Sequence, residues 1–135
     1  MKALSIVQPW AWLIISSHKP VENRIWAPPK SLMGQRIVVH ASKKRDTFEY
    51  TMACKLANGL DGIKVPSIDA LHYGAAIGTA VVRDVVEHHA SPWFFGPFGI
   101  VLDEAELWPK PVSIRGQLGL WTFPNDLVPE GVRIL

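Results

Sequence analysis

The hydrophobic period of this chain switches from helical to extended within one short stretch, LSIVQPWAWLIISSHKPVENRIW at residues 4–26, so a buried helix and a charged strand must pack beside each other. Leu4 to Val7 is a short apolar run of strand type. Gln8-Pro9 ends it, because proline has no amide donor and fits the first turn of a helix. Trp10, Leu13 and Ile14 share a face at helical spacing, while Ala11, Trp12 and Ile15 fill the other side. The helix over residues 10–15 is therefore predicted to be buried on most sides and to plug or flank whatever the strands build. After Ser16-Ser17-His18-Lys19-Pro20 the period becomes two: Val21, Asn23 and Ile25 fall on one side, Glu22, Arg24 and Trp26 on the other.

Glu22 and Arg24 thus share a strand face, roughly 6.5–7 Å apart at their Cα atoms, with Lys19 at the strand's entrance. A cation, a carboxylate and a guanidinium within six residues suit an anionic or amide-rich ligand. Arginine forks onto phosphate or carbonyl, lysine adds a point charge, and glutamate orients the arginine or moves a proton. The plain alternative is a solvated surface strand, where charged residues are ordinary.

These residues resemble a known family. Leu4-Ser5-Ile6, Gln8-Pro9-Trp10-Ala11 and Lys19-x-x-Glu22-x-Arg24 look like the signature of the ASCH domain, the activating-signal-cointegrator homology domain of the PUA-like superfamily. Ser17 stands where the family's pattern has glycine. Val38 to Ser42, Tyr73 to Gly78 and the closing Gly119-Leu120-Trp121 follow in the family's order, so the resemblance covers most of the chain. It implies a small PUA-like β-barrel flanked by two or three α-helices, with a cleft between barrel and helices lined by Lys19, Glu22 and Arg24. Gln8, Trp10 and His40 are then plausible wall residues, although Trp10 equally suits the core.

A chain of 135 residues suits a single domain over 1–135, able to bury roughly two-thirds of its unfolded surface. Cys54 is the only cysteine, so no internal disulfide forms. The chain also lacks a signal-peptide pattern and any long apolar run, which leads us to expect a cytoplasmic monomer without membrane contact. Net charge is +2 but uneven. Residues 1–60 hold nine basic against three acidic side chains, the remainder five against nine, so the two parts carry +6 and −4. A basic face from the amino-terminal part is the footprint of an RNA or nucleotide binder.

Further along, Arg36 to Ser42 reads as a strand with Ile37, Val39 and Ala41 inward and Arg36, Val38, His40 and Ser42 on the other face. Lys43-Lys44-Arg45 is the densest positive run, fit for phosphate contact or idle solvation. Asp46 to Glu49 reads as a capping box for a helix with Phe48, Met52 and Leu56 buried and Gly59 as its stop; Cys54 within it reads as a core residue. Pro66 to His72 suits one or two helical turns. Ala76 to Glu87, apolar on both faces, is the expected central strand, with Gly78 and Ala80 leaving room for the helix over 10–15. Glu87-His88-His89 lacks the spacing of a structural zinc site. The aromatic loop Pro92 to Pro97 either covers a core edge, the preferred reading, or stacks on bases. Phe98 to Leu102 is expected as one strand and Val112 to Thr122 as another, bent at Gly116. Pro124 onward is a tail that packs or frays.

The residues and the resemblance together point to an ASCH domain that binds RNA or a nucleoside-like small molecule through Gln8, Trp10, Lys19, Glu22, Arg24, His40, Lys43, Lys44 and Arg45. No metal or other cofactor is expected. The resemblance also implies a hydrolase on the same cleft, with Lys19, Glu22 and Arg24 catalytic. Some relatives hydrolyse N4-acetylcytidine with a lysine and a threonine three residues later; here Glu22 occupies the threonine's place, so it would act as a general base on water. Others are described as metal-assisted ribonucleases. A third class, an interaction domain in transcriptional coregulation, follows from the family's name.

Overall fold

A computed structural model describes residues 1–133. Six strands and two helices follow in the order β1 (Lys2–Ile6), α1 (Trp10–Ile15), β2 (Val21–Arg24), β3 (Arg36–Ala41), α2 (Thr47–Asp61), β4 (Ala75–Val86), β5 (Phe98–Ser113) and β6 (Leu120–Thr122). Single 3-10 turns stand at Lys30–Leu32, Ile68–Ala70 and Asn125–Leu127. The strands form one sheet, ordered β2-β5-β4-β3-β1-β6, that curls into a half-barrel with β2 and β6 at its edges. Only β1 and β3 run parallel; the other neighbours are antiparallel. No helix among the described residues is long and apolar enough to cross a membrane.

The alternation read from the sequence sorts the core. Ile37, Val39 and Ala41 of β3 join Ala11, Ile14 and Ile15 of α1 and Ala80, Val82 and Ile100 of β4 and β5 in the main cluster. Val38, one residue out of phase, faces the opposite side with Ala3, Trp108, Trp121 and Phe123. A third cluster, Leu13, Val21, Ala53, Ala57 and Trp93, ties α2 and the aromatic loop to α1 and β2. Gly78 gives α1 its seat: a Cβ there would meet Glu106 O at 2.2 Å and Ile15 Cδ1 at 2.9 Å.

Several boundaries differ from the expected ones for identifiable reasons. The strands expected at 98–102 and 112–122 become one sixteen-residue β5 and a short β6. Asp103 and Glu106 stay in β5 because β4 pairs through them across register shifts. Pro109 and Pro111 are tolerated because β2 covers only Phe98 to Val101, which leaves the rest of β5 an outer edge. The chain then leaves the sheet over residues 114–119, where Gly116 comes so close to β1 and β3 that a Cβ would lie 2.4 Å from Ser5 Oγ.

Helix α2 runs through Gly59 and stops at Gly62, whose φ of +63° is the left-handed cap. One interior glycine costs only about 1 kcal/mol, too little to end a helix packed along its length. Its buried face is Ala53 and Ala57, with Leu56 half-buried, whereas Phe48 and Met52 are exposed. The small residues Ala53 and Ala57 face Leu13 of α1, and the larger ones turn outward. The tail packs as far as it is described, with Val128 and Val132 against the Trp121 cluster; residues 134–135 lie outside the described residues.

Candidate functional site

The turn between α1 and β2 delivers the motif. Ser17 holds φ +64°, the conformation that favours glycine, and His18 N and Lys19 N both donate to Leu13 O at 2.9 and 3.0 Å. Lys19 is thereby folded inward and is only 3% exposed. Its Nζ donates to Val21 O at 2.6 Å and to Glu22 Oε1 at 3.0 Å, and lies 5.5 Å from the centre of the Trp10 ring. The other carboxylate oxygen of Glu22, itself 8% exposed, pairs with Arg24 Nη2 at 3.2 Å. The solvated-strand alternative therefore fails.

Arg24 Nη2 also donates to Ser5 O at 3.1 Å, so an edge-strand arginine reaches β1, which is not its neighbour in the sheet. Its guanidinium lies 5.8 Å from the Trp26 ring centre, and its Nε is buried without a partner among the described residues.

This cluster lines a hollow of about 350 Å³ between the ends of β1 and β2 and the two helices. Trp10 forms one wall, and its Nε1 donates to Glu49 Oε2 at 2.8 Å. Glu49 is where the capping-box reading is half right: Asp46 Oδ1 does accept from Glu49 N, but the Glu49 carboxylate turns into the hollow instead of back to its cap. That same bond, first among its causes, holds the Asp46 carboxyl below the ordinary carboxylate range. Phe95 and Met52 stand at the mouth. Asn23 fixes the aromatic loop there, accepting at Oδ1 from Phe95 N and Gly96 N and donating from Nδ2 to Trp93 O. Trp93 is core, 3% exposed, as the preferred reading of the loop had it, while Phe95 is 60% exposed.

A second hollow, of about 980 Å³, lies on the far side of Ser5, lined among others by His40, Lys43, Arg115 and Gly116. Its floor is a directed chain of hydrogen bonds. Ile114 O only accepts, so His40 Nε2 carries the proton in their 2.8 Å bond; in the neutral ring Nδ1 then accepts from Ser5 Oγ at 3.0 Å, and Ser5 Oγ accepts from Trp121 Nε1 at 3.2 Å. Burial lowers the His40 pKa by more than the hydrogen bond to the Ile114 carbonyl raises it, so burial favours the neutral ring near pH 7. A third hollow, of about 700 Å³, shares Arg24 with the first and Leu118 with the second, so the three adjoin.

Of the residues expected at the site, Trp10, Lys19, Glu22 and Arg24 meet in the small hollow, and His40 and Lys43 border the large one. Gln8 lines neither; it is a buried strut whose Oε1 accepts from Trp12 N and whose Nε2 donates to His72 O. Lys44 pairs with Asp46, and Arg45 pairs with Asp69 and stacks on Tyr73. Glu49, Phe95, Ser5 and Arg115 were not among the site residues expected from the sequence, although Phe95 lies in the aromatic loop for which base stacking was the alternative. Glu49 carried one signal, an acid at the third position of a helix beside the buried block. Among the described residues, no group of three or more His, Cys, Asp or Glu stands together as a metal site requires.

Comparison with known proteins gives the family and the fold. The family model of the ASCH domain matches residues 4–108. The crystal structure of ASCH from Zymomonas mobilis is similar at 15% identity with a TM-score of 0.57, covering 93% of this chain and 89% of that one. A mutant of the same Zymomonas mobilis protein gives 15% identity and a TM-score of 0.56 over 93% of this chain and 91% of that one. At such identity the likeness establishes fold alone. No curated protein matches significantly.

Proposed function

Because the chain belongs to the ASCH domain family, we propose that its small hollow receives one base of single-stranded RNA or a free modified nucleoside. The carrying observation is that the hollow's charges are already balanced. Lys19 and Arg24 face Glu22 and Glu49; Lys19 Nζ is committed to Val21 O and the Glu22 carboxylate, and Arg24 Nη2 to Ser5 O and the same carboxylate, while Arg24 Nε–H is left over. A phosphate entering here would meet two carboxylates. A neutral planar ring suits the space better: it lies against Trp10 and Phe95 and offers amide groups to Glu49, Glu22 and Arg24. About 350 Å³ is at the small end of ligand sites, the scale of one nucleoside.

Glu22 serves in this reading as the orienter of Lys19 and Arg24. Both of its oxygens are held by cations, so it accepts a proton only by releasing one of them. The test is a titration of labelled short single-stranded RNA at low salt, with RNA length and any N4-acyl group checked afterwards. Wild type should retain intact RNA, and Phe95→Ala should weaken retention by about 1–3 kcal/mol, the worth of one stacked base. Absence of binding, or a Phe95→Ala variant indistinguishable from wild type, contradicts the proposal. Turnover of either substrate would support the hydrolase instead.

A further inference from the structure

Beside the motif, whose cations suit an anionic or amide-rich ligand, lies a second, cationic hollow. We infer that this larger hollow is an anion subsite that takes the phosphate of the nucleotide whose base occupies the smaller one; the nucleotide part rests on the proposed function above.

Charge is segregated around this hollow. Five of the six arginines, Arg24, Arg36, Arg45, Arg83 and Arg133, pair with a carboxylate, and Arg115 alone does not among the described residues. Lys43 is likewise without an acidic partner among them, although its neighbours Lys44 and Arg45 each have one. These two free cations line the same hollow, and no aspartate or glutamate lines it. Lys2, Lys30, Lys55, Lys64 and Lys110 also have no acidic partner among the described residues, but none of them lines this hollow; here two positive side chains face one concavity lined also by the hydroxyl-bearing Ser42 and Ser113. Such a surface attracts an anion and provides charged donors for it.

The two hollows also adjoin. Ser5 belongs to both hollows: its carbonyl takes Arg24 from the motif, and its hydroxyl bonds His40 on the other side. One residue thus separates a charge-balanced, aromatic compartment from a cationic one, the division of character between base and phosphate in a nucleotide. Gly116 makes the approach possible, since a Cβ would collide with Ser5 Oγ and with His40 Cε1 at 2.6 Å. His40 offers no donor to the anion, because its Nε2–H is committed to Ile114 O and its Nδ1 to Ser5 Oγ.

The test follows amide and indole resonances of the isotopically labelled full chain while four probes are added separately: the common ribonucleosides, inorganic pyrophosphate, the matching monophosphates and a short single-stranded RNA. Pyrophosphate should move Lys43, Arg115 and Gly116, and nucleosides the Trp10 indole. Monophosphates should bind about tenfold or more tightly than nucleosides, the factor expected from charged hydrogen bonds. Lys43→Ala with Arg115→Ala, both at exposed positions, should erase that advantage, leave nucleoside affinity unchanged and flatten the salt slope for RNA by about 0.7 per lost phosphate contact. An RNA preference over monophosphates identifies a strand as the source of the phosphate, and equal affinity a free nucleotide; either supports the inference. Monophosphates no tighter than nucleosides, or an advantage that survives the double substitution, overturns it and leaves the base site standing. Nucleosides and RNA that leave Trp10 unmoved, while pyrophosphate still moves Lys43 and Arg115, overturn the base site and support the anion subsite alone.

Discussion

Replacing Glu22 by alanine removes the carboxylate that holds the motif together. The Glu22 side chain is 10% exposed and accepts from Lys19 Nζ at 3.0 Å and Arg24 Nη2 at 3.2 Å. Each charged hydrogen bond is worth about 1.5–3 kcal/mol, and breaking a buried pair while leaving its cation behind costs about 3–5 kcal/mol, so the two estimates agree. Lys19, with a side chain 2% exposed, would keep only Val21 O and the Trp10 ring. Taking about 4 °C per kcal/mol for a domain of this size, the melting temperature should fall by roughly 12–20 °C. Urea unfolding with linear extrapolation measures the loss directly, and Glu22→Gln, which keeps the shape and one acceptor, should lose less. Pairing Glu22→Ala with Lys19→Met in a double-mutant cycle should return a coupling of about 1–3 kcal/mol. A Glu22→Ala protein within about 0.5 kcal/mol of wild type would refute the reasoning, because that is how a solvated pair behaves.

Trp93→Ala should cost about 3–5 kcal/mol of stability, whereas Phe95→Ala should stay within about 0.5 kcal/mol in the same unfolding assay; the reverse order would contradict the roles of the aromatic loop. Ser17→Gly should stabilise the fold by up to about 1 kcal/mol, since it relieves a left-handed serine at φ +64°. A loss of stability there would contradict that turn. For His40, the native pKa lies below 6.5 because burial disfavours the imidazolium. Between that native value and 6.5 the unfolded chain binds more protons, so His40's contribution to stability is constant above pH 6.5 and is lost as pH falls below it. An assigned His40 resonance titrating at or above 6.5 would contradict the buried neutral ring.

Much of this was legible because burial imposes a period. The alternation in Arg36 to Ala41 and the all-apolar Trp10 to Ile15 were sorted correctly, since one residue out of phase would expose a core face. The motif's convergence followed from the same rule applied to Glu22 and Arg24. What stayed hidden was set by tertiary partners. Glu49 turns toward Trp10 because α2 packs through Ala53 and Ala57, which no local pattern announces. The pairing of Arg45 with Asp69, twenty-four residues away, and of Lys44 with Asp46 leaves only Lys43 without an acid among the described residues in a basic run that in sequence reads equally as phosphate contact or idle solvation. The prolines of β5 are permitted by the shortness of β2 at the sheet's edge. Arg115 lies in a loop expected as strand, and its freedom from acids is visible only once every other arginine's partner is known.

The central claim is that a base enters the small hollow, and a photo-crosslink tests it most directly. Single-stranded RNA carrying a photoreactive thio-substituted base is irradiated with the protein, and the joined peptides are located by mass spectrometry. The account predicts attachment at Trp10, Met52 or Phe95, the side chains that wall and rim the hollow. Attachment confined to surfaces away from it, such as the exposed Phe48 or Leu107, would contradict the account.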